Sequence, residues 1–148
     1  MLNPRPCTSD DGNFVYQLMK EHMKEYFDRN TAEKWSDDKF WGGFKPERIT
    51  ILEKRGLAVG FNDLEAVYGK ENYLYLHNVH VQSSSRGDIF TIDRMLNEEA
   101  LKRGLHLIRG KIFKDNTRTI ELEIALGAYV VLDPELEKEN SVWIEKRV

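Results

Sequence analysis

Cysteine is all but missing, with Cys7 alone among 148 residues. One thiol cannot close an internal disulfide or anchor a cysteine-based metal site. A reducing, cytoplasmic setting is the simplest reading. Long apolar runs are missing too. Nothing approaches the ~20 residues that a membrane helix needs, and residues 1–7 lack the apolar stretch of a signal peptide, so no membrane association is expected. Neither sign of charge dominates: 22 Lys and Arg stand against 25 Asp and Glu, for a formal charge of −3. That balance gives no electrostatic reason to expect a nucleic-acid partner. The four histidines, His22, His77, His80 and His106, show no metal-binding spacing, and no metal is expected. There is also no repeat, low-complexity tract or linker, so residues 1–148 are expected to form one domain.

What is present reads as a mixed α+β chain. Residues 2–7 form a short first strand. Thr8, Ser9, Asp10 and Asp11 supply N-cap candidates for a helix in which Val15, Leu18, Met19 and His22 follow the spacing of one face, to about residue 28. Ser36 caps a shorter helix that Gly42 and Gly43 stop. Residues 48–54 and 57–67 read as a hairpin around Arg55-Gly56, with Gly60 and Asn62-Asp63 as places for a bulge or a break. Residues 73–81 are the clearest strand. A polar loop follows at 83–87, then a helix with Ile92, Met95, Leu96 and Ala100 on one face and Gly104 at its left-handed end. Residues 105–112 form another strand. Asp115-Asn116-Thr117 caps a helix with Ile120 and Ile124 on one face and Gly127 as its stop. Two strands, 129–132 and 142–146, close the chain around a charged turn. The strand-helix-strand from residue 73 to 112 should contain a parallel crossover.

Three pieces of this order carry a resemblance: Arg5-Pro6-Cys7-Thr8 with Asp10-Asp11; Leu76-His77-Asn78-Val79-His80-Val81 followed by Arg86-Gly87; and Lys114-Asp115-Asn116 through Leu126-Gly127. Together they resemble the GNAT superfamily of N-acetyltransferases. The resemblance implies a twisted central sheet of about six to seven strands flanked by about four helices. It also implies an acetyl-CoA-dependent transfer to an amine, with a catalytically inactive GNAT-fold binding or structural module as the alternative. Acetyl-CoA is the cosubstrate implied, with Val79 and Val81 at the strand end and Arg86, Gly87, Asp88, Ile89, Phe90 and Thr91 around the pyrophosphate. Asn116 is implied to contact the cofactor's arm. The physics of such a loop agrees, because the first N–H groups of a helix are unpaired and lie at the positive end of its dipole. Two departures stand out. The family pattern has small residues where this chain has Ile89 and Thr91, and positive φ there would strain a β-branched residue. Seven residues after Asn116, where the family often has a tyrosine acid, stands Glu123, a donor only when protonated.

Acyl transfer to an amine needs a base and an oxyanion donor. His77 lies four residues before Val81, where a branch of the family carries its histidine base, and its ordinary pKa suits the task. Tyr75 and Tyr73 share its side of the strand, and Glu65 on the preceding strand is the second candidate. The residue-level alternative for His77 is a half-buried histidine bonded to a backbone carbonyl. The acceptor, a small-molecule or protein amine, is expected near Tyr16, His22, Tyr26 and Trp41, within an aromatic-rich stretch that includes Trp35, Phe40 and Phe44. A homodimer is compatible with these features.

Overall fold

The computed structural model describes all 148 residues. In chain order the elements are β1 (Asn3–Pro6), α1 (Gly12–Asn30), α2 (Asp37–Gly43), β2 (Ile49–Lys54), β3 (Leu57–Val67), β4 (Tyr73–Val81), α3 (Ile89–Lys102), β5 (Leu107–Phe113), α4 (Thr117–Ala125), β6 (Tyr129–Val131), α5 (Pro134–Glu137) and β7 (Ser141–Arg147). The strands hydrogen-bond in the order β1-β2-β3-β4-β5-β7-β6 as one seven-stranded mixed sheet. Backbone contacts divide the chain into two compact units, Met1–Leu64 with Asn78–Asp88 and Glu65–His77 with Ile89–Val148, so the division falls inside β3 and β4.

In the first unit, β1, β2 and β3 are antiparallel neighbours. The β2–β3 turn holds Arg55 at φ 56° and Gly56 at φ 76°, the two left-handed residues of a type I′ hairpin. Gly60 pairs with Leu52 and Ala58 with Glu53, leaving Val59 as the extra residue of a bulge. Asn62-Asp63 does not break β3; both residues are buried in it. Asp63 can be buried because Arg48 meets it bidentately, Nε to Oδ1 at 2.9 Å and Nη2 to Oδ2 at 3.1 Å.

Ahead of α1, the Thr8 N–H donates to Asp11 Oδ2 at 2.8 Å. Arg5 clamps the same carboxylate through both terminal nitrogens at 2.8 Å, holding Asp11 down at about 2. The apolar face of α1 places Val15 and Leu18 in a cluster with Cys7, Ile49, Ile51 and Phe61. The Cys7 thiol is buried there, and loss of solvent pushes it up to about 11. α1 runs to Asn30, two residues beyond the expected end. α2 keeps both glycines in its last turn, while Ser36 accepts a capping bond from the Lys39 N–H.

In the second unit, β4 and β5 pair in parallel at Leu74–Leu76 with Ile108–Gly110, so the crossover expected from the sequence is present. β7 runs antiparallel to both β5 and β6. α3 buries Ile92, Leu96 and Ala100, and Gly104 ends it at φ 73°. α4 departs from expectation. Ile120 packs with Ala128, Val142 and Ile144, whereas Ile124 is exposed. The expected charged turn at 133–140 contains α5, because the Asp133 carboxylate caps it by accepting from the Glu135 N–H at 2.9 Å.

Candidate active site

Alternation along β4 lines up Tyr73, Tyr75 and His77, with ring centroids 6.5 Å apart for the first pair and 4.4 Å for the second. His77 Nε2 lies 2.8 Å from Glu65 Oε1. A carboxylate only accepts, so Nε2 carries the proton and Nδ1 keeps its lone pair. His77 is 29% exposed and Nδ1 has no protein partner, so that lone pair is reachable. The two residues weighed as rival bases are thus one hydrogen-bonded pair, in which Glu65 fixes the tautomer of His77. Tyr75 beside them is largely enclosed, and burial pushes its hydroxyl up to about 12, so it stays neutral.

The same unit holds a cluster that sequence reading missed. Arg109 is the register partner of Tyr75 on one side and of Glu145 on the other. Its guanidinium stacks 4.0 Å from the Trp143 ring and 5.3 Å from the Tyr73 ring. Arg109 Nε lies 2.7 Å from the buried Glu145 Oε2, yet its N–H is not aimed at any acceptor. The contact is an ion pair without a directed hydrogen bond. Trp143 is held by its own Nε1–H bond to Asp133 Oδ2 at 2.9 Å. The long helices of this unit contact the other set of β7 residues: Asp93 of α3 takes the Lys146 ammonium at 2.8 Å, and Ile120 of α4 meets Val142 and Ile144.

In the first unit, His22 leaves the aromatic cluster and pairs with His80, Nδ1 to Nδ1 at 3.0 Å. His80 Nε2 lies 3.2 Å from Asn78 Oδ1. The amide oxygen accepts from Nε2–H, so His80 Nδ1 in turn accepts from His22 Nδ1–H, and both rings are neutral. His80 keeps a little accessible surface as a residue. Its ring packs against Phe61 and His22 with both nitrogens engaged, and enclosure drives it down to about 3. Burial lowers His22 as well, with Arg86 acting in the same direction.

Tyr16 and Trp41 do come together, stacked 5.5 Å apart at 12°. Tyr16 also donates to Asp37 at 2.9 Å, which holds α2 against α1. Tyr26 lies under the Arg29 guanidinium, which stands 4.9 Å from the tyrosine ring centroid. Val79 and Val81 are half-buried. A Cβ on Gly60 would fall 2.7 Å from both the His80 carbonyl oxygen and Val81 Cγ1, so only glycine permits this approach.

The loop after β4 is a 3₁₀ segment, Ser83–Asp88. Ser85 is buried and closes a turn with Gln82, which leaves Ser83 and Ser84 as the exposed hydroxyls. Arg86 is exposed with no hydrogen bond or ion pair to the protein, and Asp88 is held by Lys54 at 2.8 Å. Gly87 has a negative φ and nothing within 4 Å of the space its Cβ would take, so the protein's own packing does not demand a glycine there.

In the second unit, neither Ile89 nor Thr91 has positive φ. The strain expected of β-branched residues there does not arise. Both are half-buried in the first turn of α3, whereas Phe90 is 70% exposed. Asn116 stands at the N-cap of α4 with no capping bond from its side chain. The Glu123 carboxyl is pushed up by burial and by Asp93, towards the protonated form in which it can donate.

No family model and no curated protein matches the chain. Solved structures do. Ard1 from Thermoplasma volcanium superposes with a TM-score of 0.75 at 14% identity, over 99% of this chain and 97% of that one. A probable acetyltransferase from Staphylococcus epidermidis gives 0.75 at 16% identity, over 100% and 99%. N-acetylglutamate synthase from Neisseria gonorrhoeae, solved with coenzyme A and N-acetyl-glutamate, gives 0.70 at 15% over 99% of this chain and 35% of that one. The fold is that of the GNAT N-acetyltransferases.

Proposed function

We propose that the chain is an N-acetyltransferase that moves an acetyl group from acetyl-CoA to an amine by direct attack. The observation that carries this reading is the Glu65–His77 dyad, a histidine with one nitrogen oriented by a carboxylate and the other open. The fold supports it, as does the coenzyme A held by the Neisseria gonorrhoeae synthase of the same fold. The exposed Arg86 and the empty space around Gly87 suit an approaching phosphate. Regular backbone at Ile89 and Thr91 removes the main objection to a diphosphate near the start of α3. The residues we assign to the cofactor are Val79, Val81, Arg86, Gly87 and Asp88 in the first unit and Ile89, Phe90, Thr91 and Asn116 in the second.

Acetyl-CoA supplies the activated acyl carbon. His77 Nδ1 takes a proton from the acceptor ammonium while Glu65 holds the ring by its Nε2–H. The freed amine would attack the thioester carbonyl carbon and the C–S bond would break; the thiolate would gain a proton as the new amide nitrogen loses its second one, which returns the acid to its starting state. Glu123, held towards its protonated form, is a donor of the right type for that last step.

Thermal unfolding with acetyl-CoA tests the cosubstrate. At ~100 times Kd a ligand adds about 2.7 kcal/mol, which at this length raises Tm by several degrees. No shift at millimolar acetyl-CoA refutes the reading, and a shift without thiol release on any amine leaves a binding module. His77→Gln should lower kcat by about 10²- to 10⁴-fold with the acetyl-CoA shift intact. Unchanged turnover would reject the dyad.

A further inference from the structure

We infer that Arg109 forms a carboxylate subsite, so that the acceptor carries a carboxylate close to its reacting amine; this rests on the reading of His77 as the base. An arginine has five N–H donors. Here the Nε side faces Glu145, while neither Nη1 nor Nη2 gives a hydrogen bond to any protein acceptor. Two rings lie against the guanidinium, Trp143 at 4.0 Å and Tyr73 at 5.3 Å from Cζ to the ring centroid. The side chain as a whole is 22% exposed, and of its nitrogens only Nε is both buried and unpartnered, so the two Nη stay open to a ligand.

A guanidinium edge with four unused N–H bonds is complementary to a planar oxyanion, which it grips bidentately. The stacking rings and the ion pair with Glu145 fix its plane in advance. The neighbours set the order of charges. Tyr75 is itself the register partner of Arg109, and His77, bonded to Glu65, lies two residues further along the same side of β4. An ammonium is drawn to the Glu65 end; at the Arg109 end Glu145 already offsets the charge, and what remains is a set of unused donors that a carboxylate can accept from and an ammonium cannot. Two residues along a strand and one strand across amount to about 8 Å between Cα atoms. With both side chains reaching inward, the amine and carboxylate of one small acceptor can engage both ends. The shared chemistry is a carboxylate near the amine, whether in a free amino acid or in an acidic first residue of a peptide.

The test compares acceptors that differ only in the carboxylate: tyrosine with tyramine, leucine with 3-methylbutylamine, lysine with cadaverine. A peptide amide beginning with aspartate, set against one beginning with asparagine, separates the two sources. One charge-assisted contact predicts a preference in kcat/KM of about 10- to 100-fold for the carboxylate member. Arg109→Gln should collapse that ratio towards unity, and Arg109→Lys should recover only part of it because the fork is lost. Equal use of both members by the wild type, or an unchanged ratio in Arg109→Gln, overturns the inference.

A second measurement needs neither turnover nor a variant. The Arg109 Nε–H resonance of the full chain, followed by ¹⁵N NMR, should move saturably with propionate and not with propylammonium. No movement with tens of millimolar propionate also overturns the subsite. If acetyl-CoA fails to bind while propionate still moves Arg109, the enzyme reading has failed and the anion site stands.

Discussion

His80 gives the sharpest quantitative consequence. Its ring packs between Phe61 and His22, and its two nitrogens are used by His22 Nδ1 and Asn78 Oδ1. A proton added at Nδ1 would meet the His22 N–H head-on. The folded-state pKa falls to about 3 from an ordinary 6.5. Above pH 6.5 the ring is neutral whether the chain is folded or not, and it costs nothing. As pH falls below 6.5 the unfolded chain takes up a proton that the folded one refuses, so stability drops by about 1.4 kcal/mol per pH unit. At about pH 5 the loss is about 2 kcal/mol, and it stays close to that for any folded pKa below about 4.

His22, also lowered by burial, adds a loss in the same window in the wild type, while other groups act elsewhere or oppositely. Asp11, held at about 2, gives up its contribution only below about pH 4. Glu123, shifted upward, gains stability as pH falls. The assay is urea unfolding by tryptophan fluorescence at about pH 7 and about pH 5, for the wild type and His80→Gln. The wild type should lose about 2 kcal/mol more than the variant over that interval. Equal losses would refute the claim that the enclosed His22–His80 pair excludes the proton.

Two further substitutions test the frame around these groups. Gly60→Ala should destabilise by about 1–3 kcal/mol, because its Cβ meets backbone oxygen and Val81 Cγ1 at 2.7 Å; an unchanged urea midpoint would show that the two strands do not approach this closely. Asp63→Ala should cost about 3 kcal/mol by stranding Arg48 beside the buried β3, and a loss under about 1 kcal/mol would show the pair to be solvated.

Local signals account for most of the fold that could be read in advance. The Arg55-Gly56 turn, the glycine at 104 and the alternation from Tyr73 to Val81 are short-range facts, and each element lies where its chemistry put it. Ile124 shares the spacing of Ile120 yet is exposed, and no spacing rule reports which positions on a face find a partner. His77 was legible from its position and Glu65 from its neighbourhood, yet their bond depends on how β3 and β4 align. Arg109 sits on one strand and Trp143 and Glu145 on another, 34 and 36 residues further along the sequence, and only the β5–β7 register joins them. The His22–His80 pair was hidden for the same reason, since 58 residues separate the two rings.

Cys7 has a practical consequence at the bench. Because its thiol is sealed in the core and held up at about 11, the folded chain should be silent to a thiol-reactive dye at neutral pH. Coenzyme A released by turnover would then be read without background from the protein itself. Unfolded chain would add one equivalent of colour per molecule, so the same reagent distinguishes catalysis from denaturation in a single cuvette.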